Sequence, residues 1–131
     1  MQDVFNISNT TETTQIFYAT GGVTDWQIWT KPRNAKFVYF YLLGGGGGGG
    51  GGQQGAGGTG RTGGGGGASS SVTKAIIPAN VLPDILYVQV GPGGAGGLAS
   101  AAGGNGALST IAVEPTTSVT TSMIIRSGAA A

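Results

Sequence analysis

The residues with the most obvious chemical potential lie in a stretch whose spacing resembles a phosphate-binding loop. Residues 55–62 read GAGGTGRT, with Arg61 where that motif requires lysine. A phosphate-binding loop also needs a helix directly after it, because the N-terminus of that helix holds the anion. Residues 63–67 are all glycine instead, and a run of glycines does not sustain a helix. The sequence therefore predicts no phosphate site at this position.

Acid–base, nucleophilic and metal chemistry also lack the residues that they require. The chain has no histidine and no cysteine, which excludes imidazole bases, thiol nucleophiles, thiolate zinc sites and disulfides. The serines at 69–71 have no histidine partner, and the carboxylates are isolated along the chain. We therefore predict that the protein is not an enzyme and has no catalytic residues, metal ligands or cofactor. The carboxylates are expected to be solvated loop residues: Asp3, Glu12, Asp25, Asp84 and Glu114.

Charge and hydropathy exclude further classes of partner. Six basic and five acidic residues give a net charge of +1, so the chain has no basic surface that could hold a nucleic-acid backbone. A single Arg61 in the first glycine-rich stretch does not fit the Arg–Gly repeats of RNA-binding tails. The chain contains no run of 18 apolar residues, so the sequence predicts no membrane span. The first four residues, MQDV, do not resemble the start of a signal peptide.

Glycine dominates the chain, and it is clustered. Of 131 residues 29 are glycine, and residues 44–67 hold 18 of them in 24 positions. A second glycine-rich stretch covers residues 91–106. The three parts of ordinary composition around these stretches supply enough apolar residues for one modest core, so we predict one β domain at 26–131 and an N-terminal docking segment at 1–25.

The parts of ordinary composition read as short β-strands, and no window has helical periodicity. Residues 36–43 (KFVYFYLL) form an apolar, aromatic run that predicts a strand covered on both faces. Trp26 and Trp29 are expected in the core or in a subunit interface. We predict an all-β domain of seven or eight strands, a small β-sandwich or jelly-roll-like domain. The other candidate strands are residues 13–20, 26–30, 71–77, 85–90, 107–113 and 118–126.

The glycine-rich stretches are either flexible linkers or an ordered structure made of backbone alone. A linker would need a second core beyond it, which this chain hardly supplies. Ordering a residue costs roughly 1–2 kcal/mol, and glycine has no side chain whose burial offsets that cost. Backbone hydrogen bonds remain, and the extended polyproline-II helix directs them outward to its neighbours. We predict that residues 44–67 and 91–106 form a small bundle of such polyglycine-II segments, packed against the β core.

The order of these features resembles a known family. It runs from residues 29–32 (WTKP) through an apolar strand into the long glycine stretch, then through residues 87–97 (YVQVGPGGAGG) and 103–106 (GGNG) to Ser109 and Thr110. Over residues 26–113 the chain is similar to the glycine-rich domain of bacteriophage tail-fibre and other virion proteins. The resemblance implies a viral structural protein at the virion exterior, a tail-fibre or adhesin component that takes part in host attachment beside other virion structural proteins.

Two other functions stay open from the sequence. The chain could be a capsid decoration or head-fibre protein that docks on the capsid through its first 25 residues, or a cellular glycine-rich extracellular binding module. We also expect self-association, with a trimer favoured, because residues 36–43 are more apolar than a small monomer easily covers.

Loops between glycine helices bind the host surface in the adhesins that the chain resembles. This likeness makes the interruptions of the glycine stretches candidates for contact with a host cell-surface glycan or protein, although solubilising turns would have the same composition. The candidates are residues 98–102 together with Gln53, Gln54, Thr59, Arg61 and Thr62.

Overall fold

The computed structural model describes residues 14–22, 25–116 and 122–130. Within these ranges the chain is nearly all β, as predicted, with a single short 3-10 helix at Ala79–Val81. Six strands are described, against the seven or eight predicted. They are β1 (Gln27–Thr30), β2 (Phe37–Leu43), β3 (Val72–Pro78), β4 (Ile85–Gln89), β5 (Thr110–Ala112) and β6 (Met123–Arg126).

The strands form two antiparallel sheets that pack together as a small β-sandwich, so the predicted fold class is confirmed. One sheet has the order β1-β4-β5-β6, and the other is the hairpin β2-β3. Of the two tryptophans predicted in the core or in a subunit interface, Trp29 lies in the core, and its ring meets that of Phe40 edge-on with centroids 5.8 Å apart. Leu86, which is fully buried, lies in the same core. The remaining buried members are Leu42, Leu82, Val88, Ile111 and Ile125.

The prediction that residues 36–43 are covered on both faces is wrong for the described chain. Phe40 and Leu42 are buried, whereas Phe37, Tyr39 and Tyr41 are more than half exposed. A strand alternates its side chains between two faces, and only one face of the β2-β3 hairpin packs on the other sheet. This alternation cannot be recognised in the sequence, because the residues on both faces of β2 are apolar.

Three of the weaker strand predictions also differ from the structure. Residues 14–20 form no strand; Gln15 Nε2 instead donates to the carbonyl of Thr30 at 2.9 Å, and Gln27 Nε2 donates to that of Tyr18 at 2.7 Å. β5 is only three residues long, because the residues before it belong to the glycine structure. β6 begins at Met123, and residues 117–121 lie outside the described residues, as do residues 1–13.

Each glycine-rich stretch is the far end of a β-hairpin and keeps the register of that hairpin. The β2-β3 ladder reaches Leu43↔Val72, and beyond it Gly44 N–H donates to the carbonyl of Ser71 at 3.3 Å. The β4-β5 ladder continues in the same way, with Ala107 N–H donating to the carbonyl of Pro92 at 2.9 Å. The sheet thus aligns the glycine backbones before they leave it.

The two doubled-back stretches give four extended segments, here called segment I (residues 44–53), segment II (62–71), segment III (91–98) and segment IV (101–107). Hydrogen bonds between them follow a three-residue repeat. Of the described glycines only Gly21 and Gly58 have positive φ. Negative φ with a three-residue repeat is typical of polyproline-II backbone. The predicted bundle of polyglycine-II segments is therefore confirmed, as four segments.

Candidate binding surfaces

Segment I is hydrogen-bonded on three sides, and each side uses a different position of the three-residue repeat. The bonds are 2.7–3.3 Å long. A backbone with three residues per turn directs successive peptide groups to three directions, so one helix can bind three neighbours. The amides of residues 44, 47 and 53 donate to segment II, those of 45, 48 and 51 donate to segment IV, and the carbonyls of 46, 49 and 52 accept from residues 94, 97 and 100.

Close packing explains why segment I tolerates no side chain on two of its sides. A methyl group on Gly48 would overlap the carbonyl oxygen of Ala95, and the same overlap with segment III recurs at Gly45 and Gly51. A methyl group on Gly49 would lie 2.9 Å from the carbonyl oxygen of Gly65 in segment II. Segments II, III and IV have fewer neighbouring segments than segment I. They therefore have room for residues other than glycine at some positions.

Three serines join the bundle to the sandwich, and two of them are buried. Ser109 Oγ accepts from Gly91 N–H at 3.0 Å and donates to the carbonyl of Leu43 at 2.5 Å. Ser127 Oγ accepts from Ser109 N–H at 3.0 Å, and Ser71 Oγ accepts from the N–H of residue 128 at 2.6 Å. This role was not predicted from the sequence, although serine at the borders of the glycine stretches is a usable signal for it.

The predicted receptor-contact residues do come together, at the end of the bundle farthest from the sandwich. We call this end the tip: the loop of residues 53–62 and the turn of residues 98–101. Gln53 N–H donates to the carbonyl of Thr62 at 3.0 Å, and Gln54 N–H donates to Ser100 Oγ at 3.0 Å. Ser100 N–H in turn donates to the carbonyl of Gly52 at 2.9 Å. The tip therefore places Gln54 beside Ser100 and Gln53 beside Thr62, while Thr59 and Arg61 lie in the loop between Gln54 and Thr62.

Two of these candidates hold the loop in shape. Arg61 Nη2 donates to the carbonyls of Gly55 and Ala56 at 2.7 and 3.1 Å, and Thr59 Oγ1 donates to that of Ala56 at 2.8 Å. Gly58 takes a φ of +82°, which favours glycine at this turn. No helix follows the loop; residues 62–71 continue as segment II.

The side chains of the other candidates project from the tip. Gln53, Gln54 and Thr62 are exposed, and none of their side chains bonds to a residue that the structure describes. Leu98 is 83% exposed beside them. The tip thus offers amide and hydroxyl groups next to one apolar side chain.

The outer face of β2-β3 is a second exposed surface. We call it the apolar face. Lys74 is its one charged residue, with Nζ 5.2 Å from the centre of the Tyr41 ring. The cross-strand register places the apolar residues side by side: Phe37 with Pro78, Tyr39 with Ile76, and Leu43 with Val72.

Acidic residues do not gather into a site within the described part of the chain. Asp84 Oδ1 pairs with Lys31 Nζ at 2.8 Å, and Asp25 Oδ2 accepts from Thr20 Oγ1 at 2.8 Å. Asp3 and Glu12 lie outside the described residues. Among the described residues, no three His, Cys, Asp or Glu side chains are grouped as metal ligands would be, and no helix is long and apolar enough to cross a bilayer.

Comparison with known proteins identifies the family of the chain. Neither the curated proteins nor the solved structures contain a match. The family described as a glycine-rich domain matches residues 19–130, which includes all six described strands and the four glycine segments. The chain belongs to this family of glycine-rich domains.

Proposed function

We propose that this protein is a non-enzymatic structural component of a bacteriophage particle, exposed at the exterior as part of a tail fibre or adhesin. The observation that carries the proposal is the three-sided hydrogen bonding of segment I, which turns a glycine stretch into a stiff arm. A stiff arm without disulfides suits a particle part that must hold a contact surface away from its base. The likeness to virion glycine-rich domains adds support.

Labelled antibodies against the protein test its place in the particle. In electron micrographs of particles encoded by the same genome, we expect the label on tail fibres. Label on the head would replace the tail-fibre role by the alternative of a capsid decoration or head-fibre protein. Particles that carry no label, and protein found on cell surfaces instead, would favour the cellular extracellular module and contradict the proposal.

The tip is the part that we assign to host attachment. Exposed glutamine amides and a threonine hydroxyl suit hydrogen bonds to sugar hydroxyls or to peptide groups, and Leu98 adds apolar contact. Because Arg61 and Thr59 organise the loop, we assign them to positioning rather than to direct contact.

Removing the projecting groups of the tip is expected to weaken attachment without destabilising the fold. For the triple variant Gln53→Ala/Gln54→Ala/Leu98→Ala we expect adsorption to host cells to fall at least about tenfold, since each lost contact contributes about 0.5–1.5 kcal/mol. The melting temperature should stay within a few degrees of that of the parent. Asn105→Ala, which removes an exposed amide from segment IV, is the matched control. Unchanged adsorption by the triple variant would contradict the assignment.

We also propose that the apolar face is covered by further copies of the chain. Phe37 and Ile76 are each 67% exposed and Tyr39 is 57% exposed. Aromatic side chains have roughly 150–250 Å² to bury, so the whole face exceeds the few hundred Å² that a monomer normally exposes. Two such faces together approach the ~1,000 Å² of a specific interface. The state that we propose for these copies is the trimer expected from the sequence.

Polar substitutions on this face are expected to produce monomers. For Tyr39→Ser/Ile76→Ser we expect sedimentation at micromolar concentration to change from the oligomer to the monomer, because the centre of the interface loses its apolar contacts. Ile28→Ser removes an equally exposed side chain from the other sheet and should leave the oligomer intact. A parent protein that sediments as a monomer at this concentration would overturn the proposal.

A further inference from the structure

The bundle has a groove that the described residues of its own chain fill at one end only. The groove runs between segments II and IV, along the side of segment I that carries positions 44 and 50; we call it the II–IV groove. At Gly44 a methyl group would overlap the carbonyl oxygen of Gly128, so residues 127–130 fill this part. At Gly50, two turns further along, a methyl group would meet only Ala101 O and Gly65 N, both at 3.6 Å.

The filled end of the groove displays the hydrogen bonds that an occupant makes. Ala130 N–H donates to the carbonyl of Gly45 at 3.2 Å, and its own carbonyl accepts from Gly106 N–H at 2.9 Å. One residue in extended conformation therefore bridges segments I and IV. Ala130 is buried at this position, with 5% of its surface exposed.

The same pair of backbone groups is repeated one turn along the groove. A methyl group on Gly106 would overlap the carbonyl oxygen of Gly45, and a methyl group on Gly103 would overlap that of Gly48, so the two pairs have equivalent geometry. Neither the carbonyl of Gly48 nor the N–H of Gly103 bonds to a residue that the structure describes. One further extended residue would bond to both groups.

We propose that the open half of the II–IV groove binds an extended, glycine-rich strand of a partner protein. This inference goes beyond the proposed function and does not depend on where the protein resides. The walls of the groove are glycine and alanine backbone, so recognition depends on peptide groups and on the absence of bulky side chains. Residues 127–130, with the sequence SGAA, have this chemistry at the filled end. A second copy is a poor donor, because its glycine segments are already bonded within its own bundle.

A labelled peptide tests the proposal on the intact protein. The probe is a soluble peptide of three Gly-Gly-Ala triplets preceded by a fluorescent lysine, and in the control probe the triplets are Glu-Lys-Ala. We expect saturable anisotropy changes with the first probe and at least tenfold weaker binding of the second. Equal binding of the two probes, or no binding of the first, would overturn the proposal.

A variant and a spectrum locate the binding in the groove. Gly50→Val places a branched side chain in the open half and should weaken binding at least tenfold, whereas Gly60→Val, in open space at the tip, should not. In the unmodified protein the peptide should shift the amide signal of Gly103 and leave that of Gly106, which is already bonded, nearly unchanged. This spectrum decides the matter even where Gly50→Val fails to fold, and an unmoved Gly103 signal at saturation would contradict the groove as the site.

Discussion

Gly48→Ala, which adds one methyl group in the middle of segment I, is expected to destabilise the protein strongly. The new methyl group would overlap the carbonyl oxygen of Ala95, which itself accepts from Gly104 N–H at 2.7 Å. Relief of the overlap therefore moves segment III and strains its bond to segment IV. Overpacking of this kind costs about 1–3 kcal/mol when side chains can yield, and here only backbone is available. We expect a loss of about 3 kcal/mol, measured as a fall in melting temperature of about 10 °C.

Gly50→Ala is the matched control, two residues along the same segment. Its methyl group would make only ordinary contacts at 3.6 Å, and its φ is negative. Alanine also has fewer backbone conformations than glycine in the unfolded chain. At a position whose backbone conformation alanine can adopt, this stabilises the folded protein by about 0.4–1 kcal/mol. We therefore expect an unchanged or slightly raised melting temperature. Equal effects of the two substitutions would mean that segment I is not packed as described.

Ser109→Ala is the second substitution with a large expected effect. It removes the acceptor of the buried Gly91 N–H and the donor to the carbonyl of Leu43. A buried polar group left without a partner costs about 1–3 kcal/mol, so we expect a loss of roughly 2–4 kcal/mol in the free energy of unfolding, measured by urea denaturation. Hydrogen exchange at Gly91 should also accelerate, because this residue loses its acceptor.

Ser69, in segment II, supplies the control for this experiment. Ser69 is exposed, and its hydroxyl makes no bond to any residue in the described ranges. Ser69→Ala should change the free energy of unfolding by less than about 0.5 kcal/mol. If Ser109→Ala is equally mild, the hydroxyl does not hold the junction between sandwich and bundle.

The all-β class and the glycine bundle were predictable because each rests on local chemistry. Apolar runs bounded by turns and glycine predict strands, and glycine without side chains leaves the backbone as the only source of cohesion. In segment III the non-glycine residues Pro92, Ala95 and Leu98 occur at every third position. This spacing matches the three-residue repeat of the hydrogen bonds, since these are the positions whose side chains point away from segment I.

The exposed half of β2 and the serine junction were not predictable in the same way. Alternation cannot be read where every residue of a strand is apolar, so only the structure separates Phe40 from Tyr39. The partners of Ser109 and Ser127 come from four distant parts of the chain, which no local pattern specifies. The candidate contact residues could be identified because they interrupt the glycine stretches. Their grouping at the tip depends on both hairpins turning at the same distance from the sandwich.

Couplings across hydrogen bonds, measured by nuclear magnetic resonance on isotope-labelled protein, test the central claim most directly. The claim is that segment I is an ordered helix bonded to its neighbours at every third residue. It predicts couplings from the amide nitrogens of Gly45, Gly48 and Gly51 to the carbonyl carbons of Ala107, Gly104 and Ala101. Amides in segment I that exchange as fast as those of an unstructured peptide, with no such couplings, would contradict it.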